Sequence, residues 1–548
     1  MSEETSSEPP PADWRPRGAR LLASLGAALR GPGEPGRPQS YRLVRALIVR
    51  LLGVIYIAAF VGVVLQGVAL LGEGGLLPID LYLGELREAL GDDASRELPS
   101  LFWLDTSDAT LRAVGYAGVV LGAALLLGVE NAALLLLLWI LQLSLVHVGQ
   151  RWYSFGWETQ LLETTLLVAL LCPWRGLRPR VFGVGEREPP AVAIFLLRWL
   201  AFRIMLGAGL IKLRGDPCWT DLTCLDVHFE TQPNPHPGSW LFHQMPAWVH
   251  RGGVLFNHLA EVALPFLVFG PRLLRNLTGV VLVAFQVALI SSGNLSFLNW
   301  LTIVPCLACF DDDFLLRLVP RRWRGRLEDE GVGAALSPAR RPAKAATILA
   351  WLFAAVVAWR SVDVVRNLLS PQQAMNRSFD RLHLVNTYGA FGSITRERLE
   401  LIIEGTAAEL PGPDAEWRAY ELPCKPGDPA RRPCLVTPYH LRLDWLMWFA
   451  ALEAQGRGVF VRNDWLLHLV YKLLAGDRTI DPLLAVDPFV GAGEPPPRFV
   501  RVEVYRYWFA EPGEEVWWER ERIGTLIRPV SLDDPDLLEI AEARGWVR

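Results

Sequence analysis

Nine stretches of the chain are apolar enough to read as membrane helices: 46–72, 112–129, 131–149, 157–172, 192–213, 253–270, 276–293, 295–310 and 344–362. Crossing the hydrocarbon core takes roughly 20 mostly apolar residues. Several of these stretches fall short of that length, so they need support from neighbours or snorkelling ends. After residue 365 the pattern changes. "RLELIIEG" (398–405) and "FVRVEVYRYWF" (499–509) alternate apolar and polar positions, the period of a half-buried strand. "WRAYELPC" (417–424) and "ERIGTLIRPV" (521–530) read as two further strands. Residues 440–455 and 463–476 read as helices, the second capped by Asn463 or Asp464 and ended by Gly476. These elements predict an α+β domain with an antiparallel sheet and helices on one side. Residues 1–40 are rich in Pro, Gly, Ser and Arg and hold no apolar stretch of signal-peptide length, which predicts a disordered, uncleaved tail. The expected organisation is thus a tail (1–40), a polytopic helical membrane domain (41–365) and an extracytoplasmic α+β domain (366–548).

Charge sets the sidedness. Positive charge collects on the cytoplasmic side of membrane proteins. Arg30, Arg37, Arg42 and Arg45 precede or open the first span. Loop 173–191 carries four arginines, loop 271–275 carries Arg272 and Arg275, and loop 311–343 carries seven. Loop 73–111 has only Arg87 and Arg96 against nine acids. Nine spans with a cytoplasmic N-terminus put every basic loop on one side. The loops 73–111, 150–156 and 214–252 and the C-terminal domain then lie on the other. The seven cysteines divide the same way. Cys172, Cys306 and Cys309 fall at cytoplasmic ends, while Cys218, Cys224, Cys424 and Cys434 lie outside. An even set in an oxidising compartment suggests the bridges Cys218–Cys224 and Cys424–Cys434, the alternative being four free thiols.

Charges within spans are costly and face a protein interior or a water-filled cavity. At about 1.5 Å rise per residue, Glu158 and Lys212 come out at matching depth near the outer boundary, and Glu163 within arginine reach of Arg203. Two interhelical pairs are therefore expected, Glu158–Lys212 and Glu163–Arg203. His258 and Glu261 share a helical face. Glu158, Glu163, Arg203, Lys212, His258 and Glu261 together suggest an intramembrane polar pocket. They serve either packing alone, or a site in which Lys212 is a base or ligand contact. Loop 214–252 brings Asp216, His228, Glu230 and His236 above it. The three prolines of "QPNPHP" forbid a helix there and suggest a rigid lid, followed by an in-plane helix over 239–252.

The mean hydropathy of +0.24 with 51% hydrophobic residues fits a chain that is part membrane, part soluble. A net charge of −4 offers no broad basic surface for nucleic acid. The histidine spacings match no closed zinc site, and no metal or cofactor is expected. Trp445, Trp448, Phe449 and Trp465 form either a core between helix and sheet or a surface for greasy clients or membrane lipid. Asn376 opens a glycosylation sequon on the outer side.

Four long runs carry a resemblance: "GQRWYSFGWETQLLE" (149–163), "RGDPCWTDLTCLDVHFETQPNPHPGSW" (214–240), "NTYGAFGSITRERLELIIEGT" (386–406) and "YELPCKPGDPARRPCLVTPYHLRLDWLMWFAALE" (420–453). In this order they resemble the lipase maturation factor family. The resemblance implies a multi-pass protein of the endoplasmic reticulum membrane, or of the cytoplasmic membrane in a bacterium, that helps secreted client enzymes such as lipases reach their folded, active state. "AGLIKLRGDPCW" (208–219) is also distantly similar to the vitamin K-dependent carboxylase superfamily, where a lysine in the matching motif is a catalytic base; it would fall on Lys212. Arg151 stands where that superfamily has a histidine. The alternative function is thus an intramembrane enzyme acting on a lipid or polypeptide.

Overall fold

The computed structural model describes residues 39–181, 184–320, 340–412, 414–453, 463–489 and 495–546. The expected tail, except residues 39 and 40, and most of the arginines of loop 311–343 lie outside the described residues. All nine apolar stretches are helical over most of their length. Six of the helices are long and apolar enough to cross a membrane: α1 (Arg42–Leu71), α2 (Asp108–Leu126), α5 (Ala191–Arg214), α6 (Ala247–Phe269), α7 (Arg272–Ser292) and α9 (Lys344–Leu369). Three are shorter: α3 (Ala132–Val148), α4 (Gly156–Ala169) and α8 (Leu298–Cys309). α6 begins well before its expected start. Pro246 opens it after a separate helix, Pro237–His243. The single in-plane helix expected over 239–252 is therefore two helices, the second being the first turn of a membrane-length one. α6 passes through a π-turn at Leu259–Ala263 and a 3₁₀ segment at Leu264–Phe269 that holds Pro265, whose missing N–H cannot complete the α-helical ladder.

Polar side chains gather at the two ends of this bundle. At one end Asp312 accepts from the backbone N–H groups of Arg42 (2.8 Å), Leu43 (3.0 Å) and Val44 (3.1 Å), which α1 itself leaves unpaired. Beside it are the pairs Arg45–Glu130 at 2.8 Å, Arg42–Glu188 at 3.3 Å and Arg272–Asp311 at 2.6 Å. The C-terminal region packs on the opposite end.

That region holds a four-stranded antiparallel sheet in the order β2-β1-β3-β4, with β1 Arg398–Thr406, β2 Arg418–Ala419, β3 Phe499–Phe509 and β4 Trp518–Val530. The expected strand 417–424 is reduced to two residues, followed by an isolated bridge between Glu421 and Val486. Helices α10 (Arg442–Glu453) and α11 (Asp464–Ala475) accompany the sheet. Gly476 ends α11 in the left-handed conformation (φ +64°), as its position predicts. Asn463 precedes α11 but makes no side-chain cap. Alternation divides β1: Leu399, Leu401 and Ile403 join the main core with Leu446 and Trp465, while Ile402 packs with Tyr507, Phe509 and Trp518. The main core runs without a break from α1 into the sheet.

Candidate functional site

α4 and α5 are joined by an ion pair in which Arg203 Nη2 donates to Glu163 Oε1, both side chains being about 1% exposed. Depth arithmetic anticipates this pair. Its other partners lie far along the chain, where helical rise says nothing. Arg203 Nη1 donates to the carbonyl of Asn386 at 2.9 Å. The second oxygen of Glu163 accepts from the Tyr388 hydroxyl at 2.6 Å and from the Asn386 backbone at 3.1 Å. A strap around "NTYGAFG" thus lies across the two helices. It fits closely, since a Cβ on Gly207 of α5 would fall 2.5 Å from the Tyr388 carbonyl oxygen.

The expected Glu158–Lys212 pair does not form. Glu158 is bound by Arg442 of α10 at 2.8 Å and by Gln142 of α3 at 2.7 Å. Lys212 turns instead to α6: its Nζ donates to both oxygens of Glu261 at 2.7 Å and to Asn257 Oδ1 at 2.9 Å, and lies 5.0 Å from the centre of the Trp219 ring. Equal depth does not fix the direction in which a side chain points, and both charges found nearer partners. His258, although three residues from Glu261, donates to the Trp219 carbonyl at 2.9 Å. The π-turn brings Asn257 rather than His258 onto Glu261, at 3.0 Å.

Between α4, α5, α6, α7, α8 and the C-terminal region lies a cavity of 850 Å³. Its walls are mainly apolar, with Ile204, Met205, Ala208, Phe256, Phe285, Leu289 and Leu298 among them. Of the six residues expected to share a polar pocket, Lys212 and Glu261 line this space; Glu158, Glu163, Arg203 and His258 lie outside it, in the packing around it. Of the four loop residues singled out above it, Asp216, His228, Glu230 and His236, only His228 reaches it. His228 is 7% exposed, and burial, with the charge of Lys212 adding to it, pushes its imidazole down to about 4. Asp216 binds Arg396 at 2.8 Å, Glu230 accepts from the Phe509 backbone at 2.8 Å, and His236 caps the helix that begins at Pro237. Sequence reasoning passed over Arg151, Trp445, Trp448 and Phe449 as residues of this wall, although it singled each of them out for another reason. Trp465 lies elsewhere, packed on Trp152 with ring centres 5.5 Å apart.

The proline segment is not a lid. Gln232, Asn234 and His236 are buried, and the carbonyls of Glu230, Gln232 and Pro233 accept from Arg398 of β1. Arg398 pairs with Glu400, which also holds Lys425 at 3.0 Å. Burial pushes Lys425 down to about 8, and pushes Asp444, which accepts from the Cys424 backbone at 2.6 Å, up to about 6. Two disulfides, Cys218–Cys224 and Cys424–Cys434, flank this polar core. Cys172, Cys306 and Cys309 are buried free thiols. Among the described residues no three His, Cys, Asp or Glu side chains converge as a metal site.

Residues 43–317 match the family model for the lipase maturation factor transmembrane domain, and residues 384–528 that for the lipase maturation factor C-terminal domain. The chain belongs to the lipase maturation factor family. It is 47% identical to lipase maturation factor 1 of Bos taurus, over 93% of this chain and 92% of that protein. Identity to lipase maturation factor 1 of Homo sapiens is 46%, over 94% and 93%. The family's second branch is more distant: lipase maturation factor 2 of Mus musculus is 29% identical, over 92% and 86%. No solved structure matches the chain. The two family models meet across the strap and the Glu158–Arg442 pair, so the contacts that bind the two parts together lie within family territory.

Proposed function

We propose that this protein is a membrane-embedded maturation factor that helps secreted enzymes, lipases first among them, reach their active fold. The observation that carries this reading is the likeness to lipase maturation factor 1 over more than nine-tenths of both chains. The bundle crosses the membrane with its basic end in the cytosol. The disulfides and the sheet face the lumen of the endoplasmic reticulum, or the outside of a bacterial membrane, where clients fold. Two features support that orientation. The end that gathers Arg42, Arg45 and Arg272 is the end the positive-inside rule assigns to the cytosol. The cystine pairs all lie at the other end, where an oxidising compartment preserves them. The short helices α3, α4 and α8 complete nine passes, bedded among longer neighbours that cover their polar groups.

The alternative, with Lys212 as a general base, draws no support from the geometry. A base needs a lone pair directed at its substrate, and Glu261 and Asn257 take the hydrogens of Nζ.

The test is expression of this chain in animal cells that lack their own lipase maturation factors, with a co-expressed secreted lipase. Restored lipase activity in the medium, at unchanged lipase synthesis, supports the proposal. A well-expressed, correctly inserted chain that restores none refutes it.

A further inference from the structure

We propose that the 850 Å³ cavity is a binding site for one membrane glycerophospholipid, its acyl chains in the apolar interior and its phosphate at Arg151. The cavity is near the upper end of the size of small-molecule sites, about 300–1,000 Å³. It lies within the membrane-spanning bundle, and it reaches the lipid-facing surface. α6 and α7 pack together through the Leu264–Phe269 segment and are joined toward the opposite end only by an edge contact between Phe256 and Phe285, ring centres 5.7 Å apart, beside which the exposed Ala288 forms part of the cavity wall. A space with apolar walls and a side door of this kind fills from the bilayer.

Charge complementarity identifies the head. Lys212 and Glu261 cancel each other within the wall. Glu453, at the end of α10, is held by Asn463 at 2.9 Å. Arg151 also lines the cavity, and among the described residues its guanidinium has no carboxylate partner. It sits in the turn Gln150–Tyr153, between α3 and α4, at the end of the bundle where headgroups lie. An arginine fork suits a phosphate, which it can engage with two N–H groups. Further buried groups of the wall lack partners, among them Trp445 Nε1, Trp157 Nε1 and the neutral imidazole of His228, which makes no hydrogen bond among the described residues. A buried N–H without a partner is costly. The ester carbonyls of a glycerophospholipid are acceptors placed between phosphate and chains, where such donors can use them.

The experiment uses the full chain, purified in mild detergent, washed by gel filtration and extracted for phosphorus and lipid mass spectrometry. Stoichiometric phospholipid is expected in the wild type. Ala288→Trp, which fills the side door, and Arg151→Gln, which removes the charge at a partly exposed position, should each lower retention about tenfold, equivalent to ~1.4 kcal/mol. Leu65→Trp, on the exposed face of α1, should keep it. Monodispersity and the thermal midpoint establish that each variant folds, and Arg151→Gln stands alone if Ala288→Trp does not. The proposal is overturned if the wild type retains no phospholipid, if Leu65→Trp loses as much as the folded cavity variants, or if the extract holds only free fatty acid, neutral lipid or peptide.

Discussion

Replacing Arg442 by Met tests how the C-terminal region is fixed to the bundle. Arg442 is 2% exposed and Glu158 is 0% exposed. The guanidinium pairs with Glu158, donates to the Trp152 carbonyl, and stacks 3.6 Å from the centre of the Tyr153 ring. Methionine fills much of the volume but leaves the Glu158 carboxylate buried with Gln142 as its remaining side-chain partner. Breaking a buried pair in this way costs about 3–5 kcal/mol, whereas removing both charges is often nearly neutral. Glu158→Gln alone should be comparably damaging, since it strands the arginine. The double variant Glu158→Gln, Arg442→Met should return to within ~1.5 kcal/mol of the wild type, a coupling of several kcal/mol. Denaturant unfolding in micelles supplies the cycle, and protease cleavage after Arg377 or Arg381 reports release of the strap. If Arg442→Met costs less than about 1 kcal/mol, or if the two losses simply add, the pair does not hold the parts together.

Other outcomes follow from single contacts. Cys218→Ser with Cys224→Ser opens a ring of sequence separation 6, for which loop-closure entropy gives a loss of about 2 kcal/mol in unfolding measured without reductant, so that Cys424–Cys434 stays closed. His228 titrates near 4 when folded against 6.5 in the unfolded chain. Only the unfolded chain takes up that proton between these values, so stability falls as pH drops from 6.5 toward 4 and levels off below. His228→Gln should flatten that slope by up to about 3 kcal/mol in thermal unfolding across this range. Gly207→Ala sets a methyl against the Tyr388 carbonyl and should cost about 1–3 kcal/mol, with faster tryptic cleavage of the strap.

The membrane helices were legible because hydropathy and length speak directly about a helix that must satisfy its own backbone. Strands β1 and β3 showed through their alternation, whereas β2 did not, because two residues leave no period to read. The Glu163–Arg203 pair follows from helical rise alone. Glu158 and Lys212 defeated the same arithmetic because it yields depth and not azimuth. Arg442 lies 284 residues beyond Glu158 in sequence, and the π-turn in α6 changed which side chain faced Lys212. The proline segment read as a lid because proline forbids a helix but does not reveal what satisfies the carbonyls. Arg398, on a strand more than 160 residues away, supplies that answer. The cavity was invisible in sequence, since its walls come from five helices of the bundle, α10, the strap and an outer loop.

Sidedness is the claim on which maturation of secreted clients rests, and labelling decides it. The three free thiols are buried, so cysteines placed at the exposed positions Glu514 and Glu186 can be read separately. In sealed microsomes from animal cells that express the chain, whose outer face is the cytosolic one, a membrane-impermeant maleimide should label Glu186→Cys at once and Glu514→Cys only after permeabilisation. The reverse order, or equal labelling of both, would contradict the account.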